Sequence, residues 1–131
     1  MLGAGNPVGG SNPAGTGSVL NYVGEHAYAY SGAITCDNNE TTLIDATTGN
    51  NYIVAKFQPS VIADTSDNMQ FNVKINSELI TRVQITSSTA TTPYEEVEII
   101  IAPNSRLEIT CLNQTDTSAN DCAAMLTGRV Y

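Results

Sequence analysis

The sequence predicts an all-β fold: a two-sheet antiparallel sandwich, jelly-roll-like, with about eight strands and an extended N-terminal arm. Three observations lead to this prediction. Apolar and polar residues alternate with a period of two in one segment after another, no segment has a convincing helical period, and turn-forming residues separate the segments at short, regular intervals. The expected domains are an arm over residues 1–24 and a β-sandwich over residues 25–131.

The clearest pair of strands lies in residues 97–111. Val97, Ile99 and Ile101 occupy alternate positions, which places them on one face of a strand. Pro103 then interrupts the pattern, because it has no N–H to donate to a strand ladder. The alternation resumes at positions 107, 109 and 111. Two strands that meet at a proline corner are typical of sandwiches and barrels.

The other strands follow from the same pattern, and in chain order they are expected at residues 26–35, 41–46, 52–58, 70–75, 79–85 and about 123–131. Gly32 is expected to mark a bulge in the first of them. Pro59 is expected to end the strand that precedes it. Asn76-Ser77 is predicted to form the tight turn of a hairpin.

Charge and hydropathy narrow the class of partner. Thirteen acidic residues against five basic ones give a net charge of −8, and the five Lys and Arg residues are scattered singly. Nucleic-acid binding depends on clustered Lys and Arg, so no nucleic-acid partner is expected. No apolar run approaches the ~20 residues that cross a bilayer, and the N-terminus has no leader-like pattern, so neither a membrane partner nor a secretory signal is expected.

The predicted arm differs in composition from the rest of the chain. Residues 1–24 hold seven of the ten glycines and two of the five prolines, and they contain no charged side chain. A segment of this kind cannot bury enough apolar surface to fold alone. We expect a neighbouring subunit to hold it, with residues 19–23 as its apolar anchor. The alternative is an arm that packs on its own domain.

The three cysteines, Cys36, Cys111 and Cys122, are an odd number without the C-x-x-C spacing of a metal knuckle or a redox pair. Buried free thiols are therefore expected, with no metal site and no cofactor. In a simple hairpin Cys111 and Cys122 would face each other. Because consecutive strands of a jelly roll usually cross between the sheets, we expect these two cysteines to lie too far apart for a disulfide.

Catalytic residues are not expected. The chain has one histidine, His26, and its acidic neighbour Glu25 is predicted to point to the opposite face of the strand. The sequence contains neither a G-x-S-x-G nucleophile motif nor an H-E-x-x-H zinc motif. Glu96 and Glu98 share one face of a strand, where they are interpreted as a solvated stripe that protects a sheet edge. The protein is therefore predicted not to be an enzyme.

Three acidic segments leave one alternative open. Residues 37–40, 64–67 and 116–121 contain Asp, Asn and Glu oxygens of the kind that bind calcium. Their spacing does not match an EF-hand, and the same residue types are common in turns. No metal site is predicted from these loops, and a cation bound in one of them is the alternative.

Three motifs carry a resemblance to a known family: Asp45–Val54 (DATTGNNYIV), Ile101–Ile109 (IAPNSRLEI) and Leu126–Tyr131 (LTGRVY). They resemble small jelly-roll proteins of tailed-phage particles, the capsid decoration or cement proteins, and the likeness covers about residues 25–131. The resemblance implies a structural virion protein of a bacteriophage, made in the host cytoplasm. Such a subunit would lie on the outer surface of the capsid, form a homotrimer and clamp neighbouring copies of the major capsid protein.

The interface of such an oligomer is predicted from residue type. Tyrosines are enriched at protein interfaces, and the chain has six tyrosines but no tryptophan. The predicted interface residues lie near both ends of the chain: Val19, Leu20, Tyr22, Val23, Tyr28, Tyr30 and Tyr131. The loops at residues 64–68 and 87–92 are expected to point outward. The alternative function is a receptor- or glycan-binding module, such as a fibre tip or a lectin-like domain, in which tyrosines stack on sugars.

Overall fold

The computed structural model describes residues 19–62, 65–86 and 96–131. Within these ranges every regular secondary-structure element is a β-strand. The predicted all-β class is confirmed. The described residues form ten strands instead of about eight: β1 (Asn21–Val23), β2 (His26–Tyr30), β3 (Ile34–Cys36), β4 (Thr41–Thr47), β5 (Ile53–Val61), β6 (Met69–Ile75), β7 (Glu78–Ile85), β8 (Val97–Ile101), β9 (Arg106–Asn113) and β10 (Asn120–Val130). A helix long and apolar enough to cross a membrane is not found in this part of the chain.

The strands form two antiparallel sheets. The first sheet has the order β1-β2-β10-β5-β8, with β3 also paired to β10, and the second has the order β4-β9-β6-β7. Without β1 and β3, the strands pair from the ends of the sequence inward: β2 with β10, β4 with β9, β5 with β8, and β6 with β7. Nested pairing of this kind results when one long hairpin is rolled into two facing sheets. The sandwich is therefore jelly-roll-like, as predicted.

The sandwich begins earlier than residue 25. β1 is an edge strand of the first sheet and pairs with β2, and Gly24 in the turn between them has a φ of 57°. Leu20, just before β1, packs against the core. The end of the predicted arm thus packs on its own domain. Residues 1–18, which hold the rest of the predicted arm, and the loop predicted at residues 87–92 lie outside the described residues.

The first strand predicted after the arm is divided in two. A short break that contains Gly32 separates β2 from β3, and Gly32 has a φ of 74°, which glycine adopts without steric cost. Ser31, within this break, forms two hydrogen bonds with Ala124 of β10. Its N–H donates to the Ala124 carbonyl oxygen (3.0 Å), and its hydroxyl oxygen accepts from the Ala124 N–H (2.8 Å). The irregularity predicted at Gly32 is therefore an interruption of the strand.

Pro59 does not end its strand, so the prediction for this residue is wrong. β5 runs to Val61, and Pro59 is paired with Ala124 of β10. Because both backbone groups of Ala124 are bonded to Ser31 on the other side, Ala124 offers neither group to β5. The missing N–H of Pro59 therefore faces away from β10, toward the side of β5 that carries β8. Among the described residues β8 pairs with β5 from Ile53 to Phe57, so Pro59 breaks no ladder hydrogen bond within the described part of the sheet.

Two turns contain residues with the positive φ values that Asn and Ser tolerate in tight turns. Asn76 and Ser77 have φ values of 53° and 70°. Two consecutive positive values are typical of a type I′ turn, which here joins β6 to β7 in the predicted hairpin. At the proline corner Asn104 has a φ of 54°, and the chain passes from β8 in the first sheet to β9 in the second. The corner is thus a crossover between the sheets.

The hydrophobic core fills the space between the two sheets. Phe57 of β5 and Phe71 of β6 are fully buried, and their ring centroids lie 6.5 Å apart across the sandwich. Ile99 and Ile101 of β8 are buried while Ile100 between them is exposed, so the alternation predicted for this strand is confirmed. The outward-facing residues of each sheet remain for contact with other molecules.

Candidate interaction surface

The outer face of the first sheet is the candidate surface. Because paired residues of antiparallel strands point to the same side, the strand register defines rows of side chains across this face. The central row is Asn21, Tyr28, Thr127, Lys56 and Glu98. The rows beside it are Tyr30, Met125 and Gln58 on one side, and Val23, His26, Arg129, Val54 and Ile100 on the other. We call the face that these residues define the tyrosine face.

Large apolar side chains are exposed on the tyrosine face. Val23, Tyr30, Ile100 and Met125 are between 38% and 64% exposed. The rings of Tyr28 and Tyr30 lie with their centroids 5.1 Å apart and their planes at 44°. Such a tilted contact is a favourable arrangement of two aromatic rings. Apolar groups exposed on several adjacent strands are typical of a binding surface.

An open hollow of about 430 Å³ lies on the tyrosine face. Tyr28 and Tyr30 line it together with three charged residues, Lys56, Glu98 and Arg129. Lys56 and Glu98 are cross-strand partners, so opposite charges stand side by side. The hollow therefore combines aromatic surface with both signs of charge.

The structure brings three of the predicted interface residues, Val23, Tyr28 and Tyr30, together on the tyrosine face. Tyr22 does not join them. It is paired with Ala27, whose side chain is buried in the core, and so it points to the opposite side of the sheet. Partial burial there raises the pKa of the Tyr22 hydroxyl.

The other predicted interface residues lie at the margins of the sheet. Val19 is exposed, whereas Leu20 packs against the core. Tyr131 follows β10 and is largely exposed, with the guanidinium carbon of Arg129 5.6 Å from its ring centroid. The Asn51 side-chain amide donates to the Tyr131 carbonyl oxygen (2.7 Å) and holds the end of the chain in place. Tyr131 therefore borders the tyrosine face.

Ile100 and Met125 are surface residues that sequence reasoning did not select. The alternation in β8 and β10 is the signal that could have found them, because each stands between buried neighbours and must point outward. Alternation does not tell which strands are adjacent. The pairing of β8 with β5 and of β10 with β2 is what places both residues on the same face as Tyr28.

The outer face of the second sheet has a different character, because a polar network covers much of it. The Glu40 carboxylate accepts hydrogen bonds from Thr110 Oγ1 (2.5 Å) and Asn72 Nδ2 (3.3 Å) and forms an ion pair with Lys74 Nζ (2.9 Å). The hydrogen bonds from Thr110 and Lys74 hold the pKa of Glu40 below its ordinary value. Arg82 Nε in turn donates to Asn72 Oδ1 (2.8 Å). The polar groups of this network satisfy one another.

A second polar cluster lies at the edge of the same sheet. Arg106 donates two hydrogen bonds to the Asp45 carboxylate, at 2.9 Å and 2.8 Å, and lies 3.5 Å from Glu108. The hydrogen bond from Arg106 lowers the pKa of Asp45. The charged groups of this cluster are already paired with one another within the chain.

Two of the acidic loops meet at Asn113. Its side-chain amide donates to Asp67 Oδ2 (3.0 Å) and to the Ser118 carbonyl oxygen (2.9 Å), and the Asn120 amide donates to the same Asp67 oxygen (3.1 Å). Two amide donors thus share one oxygen of the Asp67 carboxylate. Across residues 19–62, 65–86 and 96–131, no three acidic or histidine side chains converge on one point.

The three cysteines lie together in the core. All three are free and buried, as expected. β9 and β10 also lie in different sheets, as predicted. The thiols are nevertheless not far apart: Cys111 and Cys122 point toward each other across the core, and their sulfur atoms, with that of Cys36, all lie within 4.8 Å of one another. Residues on the inner faces of opposite sheets meet in the core, which brings these sulfur atoms together. That Cys111 and Cys122 lie too far apart for a disulfide stays a prediction.

Comparison of the chain with protein-family models, curated proteins and solved structures found no match.

Proposed function

We propose that this protein is a structural virion subunit, a capsid decoration or cement protein of a bacteriophage. It would form a homotrimer on the outer surface of the particle and clamp neighbouring copies of the major capsid protein. The observation that carries this proposal is the difference between the two outer faces of the sandwich. One face exposes tyrosines and aliphatic side chains on four of its strands. The other carries internally paired polar groups, and its exposed large aliphatic residues, Leu79 and Ile80, lie on the edge strand β7.

The composition of the tyrosine face supports a role in protein contacts. Tyr, Met and Arg are the residue types enriched at interfaces, and this face presents Tyr28, Tyr30, Met125 and Arg129. A strand surface with apolar groups exposed on four strands is also suited to a large partner such as a capsid shell. The jelly-roll topology is compatible with the family that the sequence resembles, since this architecture recurs in viral capsid proteins.

Charge also favours the tyrosine face as the contact region. The chain carries a net charge of −8, so copies of it repel one another through most of their surface. On the tyrosine face two basic residues, Lys56 and Arg129, accompany a single acidic residue, Glu98. Glu25 forms an ion pair with Arg129 (3.4 Å), so basic and acidic groups are close to balanced here and association through this face avoids most of the net negative charge. Closed symmetry is the default for such contacts, and the resemblance favours a three-fold axis.

Light scattering and sedimentation with empty phage shells test the proposal together. The wild-type protein should have the mass of a trimer and should sediment with shells at a fixed ratio. Met125→Glu places a charge in the middle of the tyrosine face and should weaken association by at least about tenfold. Leu79→Glu is the matched control, because Leu79 is similarly exposed but lies on β7 of the second sheet. A wild-type protein that is a monomer and does not bind shells would overturn the proposal. If Leu79→Glu weakened association and Met125→Glu did not, the tyrosine face could not be the contact region.

A deletion tests the expected role of the arm. The deletion should end at residue 18, because Asn21–Val23 is a strand of the first sheet. The shortened protein should unfold at an unchanged temperature and should bind shells more weakly. Unchanged occupancy on shells would exclude a contribution of residues 1–18 to attachment.

The hollow on the tyrosine face favours a second candidate function, a receptor- or glycan-binding module. Its volume of about 430 Å³ is within the usual range for small-ligand sites, and sugars commonly stack on tyrosine rings. Glycan-array binding that Tyr28→Ala abolishes, in a protein that does not bind shells, would support this candidate over the first. The prediction that the protein is not an enzyme stays a prediction.

A further inference from the structure

The three cysteines of the chain meet at one point in the core. Cys36 is the last residue of β3, Cys111 lies in β9 and Cys122 lies in β10. Two of these strands belong to the first sheet and one to the second, so the sulfur atoms approach from both sides of the sandwich. Each side chain is fully buried, and the three sulfur atoms lie within 4.8 Å of one another.

We propose that Cys36, Cys111 and Cys122 form a binding site for one soft metal ion, of the Zn(II) or Cu(I) class, between the two sheets. The distances fit this assignment. Two thiolate sulfurs that each lie ~2.3 Å from one ion are about 3.8–4.0 Å apart in tetrahedral or trigonal coordination. The sulfur atoms here are already within 4.8 Å, so small side-chain rotations bring all three to one ion.

The donor set selects the kind of ion. In the described part of the chain the group contains sulfur alone, with no histidine nitrogen or carboxylate oxygen among its three ligands. Calcium and magnesium prefer oxygen ligands and are therefore poor candidates. Thiolates select soft ions, above all Cu(I) and Zn(II). Cu(I) is satisfied by three sulfurs, and Zn(II) would complete its shell with a further ligand.

Charge in and around the cluster favours a cation. Asp37 and Asp121 adjoin the cluster and add negative potential, which disfavours a lone buried thiolate. A bound cation offsets this negative charge, and each thiol that joins it releases its proton to solvent.

A metal ion at this position would link the sheets. It would tie β3 and β10 of the first sheet to β9 of the second, and it would be taken up as the chain folds because the site is closed to solvent. The expected consequence is a rise in thermal stability that depends on metal concentration. For 131 residues the midpoint should rise by about 10 °C at a free metal concentration of 100 times Kd.

The experiment uses the full chain, unfolded with reductant and chelator and then refolded with Zn(II), Cd(II) or Cu(I). The expected results are one ion retained per chain, a thiolate-to-metal absorption band with Cd(II) or Cu(I), and the rise in midpoint. Cys122→Ala, shown by its own urea transition to be folded, should lose all three signals. If that variant does not fold, the ion count and absorption band of the wild-type chain still decide the question.

Two results would overturn the proposal. One is a reduced, folded wild-type chain that retains no ion and shows no thiolate absorption with any of the three metals. The other is a native chain whose mass is lower by two hydrogens until reductant is added. That deficit would mean that two of the cysteines form a disulfide and that no three-thiol site exists.

Discussion

Replacing Gly128 with alanine tests how closely the central strands of the first sheet approach each other. Gly128 lies in β10 between β2 and β5, where it is paired with Ala27 and Ala55. A Cβ atom at this position would lie 2.6 Å from the carbonyl oxygen of Val54 and 2.8 Å from the Cα of Ala55. Both are backbone atoms, so no side-chain rotation can relieve the clash. The two strands must move apart.

The size of the effect follows from these distances. Close contacts between carbon and carbonyl oxygen are normally about 3.3–3.6 Å, so the strands must separate by roughly 0.7–1 Å. Overpacking of this kind costs about 1–3 kcal/mol. Alanine also lowers the conformational entropy of the unfolded chain relative to glycine, which stabilises the folded state by about 0.4–1 kcal/mol. The net loss of unfolding free energy should be roughly 0–2.6 kcal/mol, which lowers the thermal midpoint by up to about 9 °C.

Urea unfolding of Gly128→Ala, followed by circular dichroism, measures this loss. Gly49→Ala is the matched control, because a Cβ there meets no atom within 4 Å, and it should leave the stability unchanged or raise it by up to about 1 kcal/mol. The slope of free energy against urea should be the same for both variants. If Gly128→Ala is as stable as Gly49→Ala, the close approach of the strands does not exist and the reasoning fails.

Three further predictions concern the turn, the polar network and the core. Ser77→Gly should stabilise the protein by about 0.5–1 kcal/mol, because glycine adopts the φ of 70° without steric cost; an unchanged urea midpoint would contradict this. Because hydrogen bonds from Thr110 and Lys74 lower the pKa of Glu40, its charged form stabilises the fold above the ordinary pKa, and this contribution is lost as the pH falls through the lowered value. Urea midpoints measured from neutral to acidic pH should therefore fall less steeply for Glu40→Gln, and identical profiles would show that the network contributes nothing. Phe71→Ala should cost about 3–5 kcal/mol in urea unfolding, since the ring is fully buried between the sheets; a loss below about 1 kcal/mol would mean that the core is not packed there.

The sequence by itself determined the features that depend on neighbouring residues. Alternation in β8 predicted that Ile99 and Ile101 are buried, because successive side chains of any strand point to opposite faces. The pair Asn76-Ser77 predicted a hairpin, because these residues tolerate the positive φ values that a two-residue turn requires. The regular spacing of such turns was enough to predict a two-sheet sandwich.

The tertiary structure alone decided which strands are neighbours, and with them the composition of each surface. Pairing across about a hundred positions places Thr127 beside Tyr28 and so puts Met125 on the tyrosine face. The pairing of Pro59 with Ala124 turns the position of its missing N–H away from β10, so the proline fits within β5. The nested pairing of the strands also brings Cys111 against Cys122 from opposite sheets. Such contacts leave no local trace, because the choice of strand partners depends on burying the apolar faces of all the strands at once.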